Sequence, residues 1–288
     1  MDPQKTPVPA PIHLRIADDL RMEIERGELP HGASLPTLAE MADRWSCSLN
    51  SARGAIALLR AQGLITSGRG KAPVVRTPPR RAIRSSERHQ AEKDLALRPE
   101  RERAETGEAE TNHAMSIREQ RFSSKYSIVR ADAGIARVLR VAPDEALLQR
   151  QYEAVDRRTG YQLSYSVSLI PIALIEGNPN LLDEHNEPWP GGTQHQLLTV
   201  GIEVMHIVDE VTARMPTTVE VQRWDLSDGV PLIFCRRISY DATGRPAEVS
   251  DALYPADRTE LRFVTPLQPA PPAAVEKIAT MRMRKIPK

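Results

Sequence analysis

The 288-residue sequence predicts two domains: an N-terminal, mainly α unit with a small β wing, and a C-terminal α+β unit built on an antiparallel sheet. Three observations carry this. The length exceeds the roughly 100 to 200 residues of a typical domain. Helix-spaced apolar residues at the start give way to short alternating or apolar runs after residue 121. Between the two patterns lies a stretch dense in Arg, Glu and Ala, with few large aliphatics and too little apolar surface for a core of its own. The expected organisation is a disordered N-terminus (1–10), the helical unit (11–76), a charged linker (77–120), the α+β unit (121–267) and a flexible tail (268–288).

In the first unit, Leu14, Ala17, Leu20 and Ile24 recur at three- and four-residue spacing and predict a helix, which Gly27 and Pro30 end. Thr37 followed by Glu40 fits a capping box, so a second helix is expected from Leu38 to Trp45. After a short turn at Ser46-Cys47, Ser48 is a good N-cap for a third helix. Its Ala52, Ala55, Ile56 and Leu59 line one side, and its Asn50, Ser51, Arg53 and Arg60 the other. Gly63 stops that helix, and Leu64-Ile65-Thr66 and Val74-Val75 flank Ser67-Gly68-Arg69-Gly70-Lys71 as a two-stranded wing. Gly54 in mid-helix points to a close approach by another helix or by DNA.

The linker, interrupted by Pro99 and Gly107, reads equally as a solvated, charge-laced helix or as disorder. In the second unit the expected strands are Ala146 to Val155, Leu163 to Pro171, Val208 to Met215, Val230 to Tyr240 and Ala247 to Tyr254. Hairpin bends are expected at Thr159-Gly160 and at Ala242 to Pro246, and helical pieces at Gln194 to Thr199 and Thr217 to Asp225.

Charge is segregated along the chain. Lys and Arg total 39 against 38 Asp and Glu, yet from Arg44 to Ser86 there are nine basic residues and no acidic one. Laid over two helices joined by a tight turn, that bias suits a polyanion, with the second helix entering a DNA major groove. Arg53 is then the best base-reading candidate, Ser48, Asn50 and Ser51 sit at the end facing phosphate, and Arg44 and Arg60 are placed to touch phosphates. Arg69 and Lys71 at the wing tip could enter a minor groove, with Gly68 and Gly70 letting the backbone come close. Thr37 joins them as a candidate DNA contact; the same residues also fit an ordinary solvated face, and Thr37 and Ser48 fit plain capping, which leaves a phosphate contact open to both.

Other classes are disfavoured. Cys47 and Cys235 fall in different units, which suits a reducing cytoplasm and not a disulfide framework. No run approaches the ~20 apolar residues of a membrane span. There is no Gly-x-Ser-x-Gly elbow, phosphate loop or His-Glu-x-x-His pair, so no catalytic residue and no cofactor is expected. Asp183-Glu184-His185 with His195 reads as a solvated loop more readily than as a metal site.

Residues 11–76 resemble the winged helix-turn-helix of the GntR family of bacterial transcription regulators. The similarity rests on Leu35-Pro36-Thr37, Ser48-x-x-Ser51-x-Arg53, and Gly63-Leu64-Ile65 leading to Gly68-x-Gly70-Lys71. It implies DNA contacts at Ser48, Arg53 and Gly70. Ala39 and Leu49 stand where the family usually has Arg, which bears on the operator read more than on DNA binding itself. Residues 121–266 resemble the effector-binding UTRA domain of the HutC branch, which shares its fold with chorismate lyase, through Asp241-x-x-Gly244-x-Pro246-x-Glu248-x5-Tyr254 and Ser168-Leu169-Ile170-Pro171. The run from Asn178 to Leu197, with Val200-Gly201-Ile202-Glu203, is similar to regulators from actinobacterial conjugative plasmids.

These resemblances imply a cytoplasmic, homodimeric repressor that binds a palindromic double-stranded DNA operator and is released by a small-molecule effector. A ligand-free dimeric repressor, or an enzyme of chorismate-lyase type, would be the alternatives. Arg150, Ser166, Ser168, Glu248 and Tyr254 are the expected effector contacts. Several family members carry Arg-x-Arg, suited to a phosphorylated ligand, where this chain has Glu153-Ala154-Val155, which leaves Arg150 as the nearby candidate for an anion.

Overall fold

The computed structural model describes residues 10–66, 72–106 and 119–271. Helix α1 (Ile12–Glu25) buries Ile16, Ala17 and Leu20. It packs on α2 (Leu38–Arg44) and α3 (Leu49–Ala61) around Leu35, Met41, Ala52, Ala55 and Leu59. The capping box forms: the Glu40 amide donates to Thr37 Oγ1 at 3.2 Å, and the Thr37 amide donates to Glu40 Oε2 at 2.7 Å. Helix α2 stops one residue short of Trp45, because the chain turns through a left-handed Ser46 (φ 47°) to reach the Ser48 cap of α3. The space beside Gly54 is taken by His13 of α1, whose Cβ would stand 3.3 Å from an added methyl group. Strands β1 (Ile65–Thr66) and β2 (Val74–Val75) pair antiparallel and seal this core with Ile65 and Val75.

The second unit is a six-stranded, wholly antiparallel sheet. Its strands are β4 (Gln120–Arg130), β5 (Ala146–Asp156), β6 (Gln162–Pro171), β7 (Val204–Arg214), β8 (Leu232–Asp241) and β9 (Pro246–Pro255), in spatial order β4-β5-β6-β9-β8-β7. The hairpins turn at Gly160 (φ 74°) and Gly244 (φ 76°). At the latter, Asp241 accepts from the Thr243 and Arg245 amides and from the Thr243 hydroxyl. Burial alone would raise the Asp241 carboxyl, but these donors and Arg245 hold it at about 2. One sheet face packs on α6 (Ala133–Leu139) through Leu139, Leu147, Ile238 and Val249. The other is closed at one end by α7 (Ile172–Ile175) and α8 (Gly192–Leu198) over Leu148, Ile170, Leu197 and Ile202. Helix α9 (Thr218–Trp224) has its own capping box, Thr217 with Glu220.

Part of the stretch expected as a charged linker joins the second unit. Strand β3 (Ala82–Ser85) pairs parallel with β10 (Thr259–Arg262). This carries α4 (Arg88–Ala96) across the sheet, where Leu95 and Ala96 are buried and Lys93 Nζ donates to the Val204 carbonyl at 2.9 Å. A further helix, α5 (Glu100–Thr106), follows. The two units also touch directly, through an Arg76–Asp257 ion pair and through Gly63, where an added Cβ would lie 3.0 Å from the Asp228 carbonyl.

Candidate nucleic-acid face and ligand pocket

Capping places four of the predicted residues together at the start of α3. Ser48, Asn50 and Arg53 are exposed, the Ser51 amide donates to Ser48 Oγ at 3.1 Å, and the two serine hydroxyls lie 3.0 Å apart. Arg53 Nη1 donates to Asn50 Oδ1 at 3.0 Å, so the guanidinium and the amide present one hydrogen-bonding surface. Thr37 lies apart, at the α2 cap, its hydroxyl and backbone amide engaged with Glu40. Arg44 is bound to Glu23 of α1 and stacks 4.2 Å from the Trp45 ring, so it ties α2 to α1 where a phosphate contact was expected. Arg60 stands two turns beyond Arg53, about 10.5 Å along the axis, with its Nε buried. Arg69, Gly70 and Lys71 lie outside the described residues.

The sheet face opposite α6 carries a cavity of about 140 Å³. Strand alternation builds its floor. Ser164, Ser166 and Ser168 come from β6, Glu248 and Ser250 from β9, Arg237 and Ser239 from β8, and Phe122 and Tyr152 from β4 and β5. Beneath Ser168 lies Arg150, 1 % exposed. Its Nη2 donates to Glu248 Oε1 at 2.7 Å and to Ser168 Oγ at 2.8 Å, and its Nη1 donates to Gln196 Oε1. Burial opposes charge on Arg150, but the oxygens of Tyr152, Glu248, Tyr126 and Glu187 more than offset it. Glu187 accepts from the hydroxyls of Tyr126 and Tyr152 and from Gln196 Nε2. Burial pushes the Tyr126 phenol up to about 12 and Tyr152 well above its usual value, so both stay donors.

The second cavity arginine, Arg237, is likewise matched. Its Nε and Nη2 donate to Asp209 on β7 at 2.8 and 3.1 Å. Burial alone would raise the Asp209 carboxyl, but His89 and Arg237 hold it far below the usual range. The roof is α8 with α4: the Gln194 amide donates to Glu92 Oε1 at 3.1 Å, and its side chain donates to the His89 carbonyl at 2.8 Å. Burial depresses the pKa of His89.

Of the expected effector residues, Ser166, Ser168 and Glu248 line this cavity. Arg150 is a correction: it is a buried structural cation whose charge is met by Glu248 and not an open anion site. Tyr254 is a second correction. It does not line this cavity: it lies on the same sheet face four residues beyond Ser250 along β9, in an adjoining hollow with His89 and Asp209, and packs under Arg84 with 4.5 Å between guanidinium carbon and ring centre. Sequence reasoning did not find His89, Glu92, Glu187, Trp189 or Arg237. Among the described residues no cluster of three or more metal-ligating side chains occurs, and no helix is long and apolar enough to cross a membrane.

Residues 12–75 match the model of the bacterial regulatory proteins of the gntR family, and residues 163–260 match the UTRA domain. The chain is 25 % identical over 252 residues to the HTH-type transcriptional regulator RB1450 of Rhizobium meliloti (strain 1021), itself uncharacterised; the match covers 87 % of this chain and 93 % of that protein. The crystal structure of a protein assigned to the GntR-family transcriptional regulators is 26 % identical, with a TM-score of 0.66 over 90 % of this chain and 99 % of that one. PhnF from Mycobacterium smegmatis is also similar, at 18 % identity and a TM-score of 0.49, over 88 % of this chain and 100 % of that one. A helix-turn-helix with its recognition helix exposed, joined to a UTRA sheet domain with a polar cavity, makes this chain a transcription regulator of the GntR family and not an enzyme.

Proposed function

We propose that the protein is a homodimeric repressor that holds a palindromic operator through α3 and the wing, and that occupation of the sheet cavity by a small molecule releases it. The observation that carries the DNA half is the joined surface of Ser48, Asn50, Ser51 and Arg53 at an exposed helix N-terminus. On this reading Arg53 contacts a base edge, Ser48 and Ser51 contact phosphate, and Arg60, Arg69, Gly70 and Lys71 contact the flanking backbone. Pairing of two copies is supported by β7, an open sheet edge that exposes Met205, Val208 and Val211. The cavity favours a ligand-responsive domain over a purely dimerising one.

Coupling follows from where α4 lies. The segment leading out of the helix-turn-helix unit places His89 and Glu92 in the cavity roof, so a ligand that prefers one setting of α4 shifts the heads it carries. The repressor would act where the operator is, in the cytoplasm, and the similarity of 178–203 to conjugative-plasmid regulators suggests transfer genes as targets. Gel shifts and footprinting on DNA flanking the protein's own gene test this. A protected two-fold site with half-sites about one helical turn apart is expected, and equal affinity for all fragments at every salt concentration would refute it.

A further inference from the structure

We infer that the sheet cavity takes an uncharged, polyhydroxylated ring compound of monosaccharide size, and turns away phosphates and carboxylates; the inference rests on the cavity being the effector site. Size comes first. About 140 Å³ is close to the roughly 150 Å³ of an enclosed cavity that holds one benzene-sized ring, and this cavity is open on one side, so it takes a single ring whose substituents reach toward the opening.

Charge decides the class. Cross-strand pairing sets Arg150, Ser168, Ser250, Arg237 and Asp209 in one row across five strands. The two cations of that row are charge-matched, Arg150 by Glu248 and Arg237 by Asp209, which takes its Nε and Nη2. An anion entering here would compete with Asp209 for Arg237, or break the buried Arg150–Glu248 pair, and would face the Glu92, Glu187 and Glu248 carboxylates while doing so. The carboxylates are engaged too: Glu187 by two phenols, Gln196 and the Trp189 amide, and Glu153 at the rim by Arg223.

What remains open for a ligand is Ser164 and Ser166 along β6 and Ser250 on β9, which line the cavity and whose hydroxyls are bonded to no other described residue. A hydroxyl both donates and accepts, which is the pattern a polyol presents in return. Phe122, Tyr152 and Trp189 add flat apolar faces to the walls, suited to the C–H face of a ring.

The test uses the full-length protein in thermal-shift and calorimetric titrations. Neutral hexoses, pentoses and inositols are compared with the corresponding sugar phosphates and with inorganic phosphate. At least one neutral compound is expected to raise Tm, with its affinity lowered roughly three- to tenfold by Ser166→Ala and by Ser250→Ala. The phosphates should leave Tm unchanged, and Asp209→Asn, which strips Arg237 of its carboxylate, should admit inorganic phosphate. Should that variant not fold, the two serine variants decide the matter. Stabilisation by the phosphates and not the neutral compounds, a neutral compound indifferent to both serine changes, or no neutral binder at all would each overturn the inference. Parallel gel shifts separate the two readings: operator binding without any sugar response removes the ligand class alone, and absent operator binding removes the repressor.

Discussion

Replacing Glu248 with Gln keeps the shape of the cavity floor and removes the charge that answers Arg150. The guanidinium is 1 % exposed and water cannot take over. At an effective dielectric near 20, two unit charges about 4 Å apart attract by about 4 kcal/mol. The amide oxygen can still accept from Arg150 and Ser168, and a neutral hydrogen bond recovers about 1 kcal/mol. The expected loss of about 3 kcal/mol sits at the lower end of the ~3–5 kcal/mol found on breaking buried pairs. For a domain of this size each kcal/mol moves Tm by roughly 2–4 °C, so calorimetry should show the transition of the C-terminal unit lowered by about 6–12 °C. Removing both charges, Arg150→Met with Glu248→Leu, should recover most of that drop. A shift below about 2 °C for Glu248→Gln, or losses in the double variant that simply add, would show that the pair is not the electrostatic centre of the floor.

Arg53→Ala should weaken operator binding by about 1–3 kcal/mol and relax one base position in footprinting, whereas Lys71→Ala should lower the slope of log affinity against log salt by about one; equal losses on all sequences for Arg53→Ala would remove its base-reading role. Gly229 has φ 74°, and an added Cβ would meet the Ala61 carbonyl and the Gly63 amide nitrogen of the helix-turn-helix unit. Gly229→Ala should therefore cost about 1–3 kcal/mol and open the junction to limited proteolysis, and an unchanged cleavage rate would contradict that packing. Burial lowers the pKa of His89, which faces Asp209, Arg237 and Arg88, so the unfolded chain binds more protons and stability falls as pH drops from about 6.5. His89→Gln should flatten that decline between pH 7 and 5 in thermal melts. It should leave the later loss below about pH 4.5, where Glu220 and Asp241, both held at about 2, are forced to protonate.

The first unit was legible almost residue by residue because its signals are local. A hydroxyl at Thr37 with a carboxylate at Glu40, a serine at Ser48 and apolar residues three and four apart each specify a structure within one or two helical turns. The same holds for the hairpin at Asp241 to Pro246, where one carboxylate organises the whole bend. Strand β4 was harder to see. Its Gln-Arg-Phe-Ser-Ser-Lys-Tyr-Ser-Ile-Val-Arg lies on a sheet edge, where polar residues are tolerated and the apolar signal is diluted.

The cavity was legible only where one strand could report it. Ser164-x-Ser166-x-Ser168 has the period of two that aims a row of hydroxyls at one face, and Glu248 lies in the motif next to the hairpin. Nothing local marks His89 or Glu92. They sit in a charged stretch without a core pattern and reach the cavity only because Ala82–Ser85 pairs with Thr259–Arg262, far along the chain. Tyr254 shows the converse. Alternation puts it on the same face as Glu248, and a shared motif invites a shared role, but a strand advances about 3.3 Å per residue. Tyr254 stands four residues, roughly 13 Å, beyond Ser250, the last β9 residue of the cavity, so the phenol that shares the motif falls in the neighbouring hollow and serves as the platform on which Arg84 fixes β3, the strand that carries the cavity roof into place.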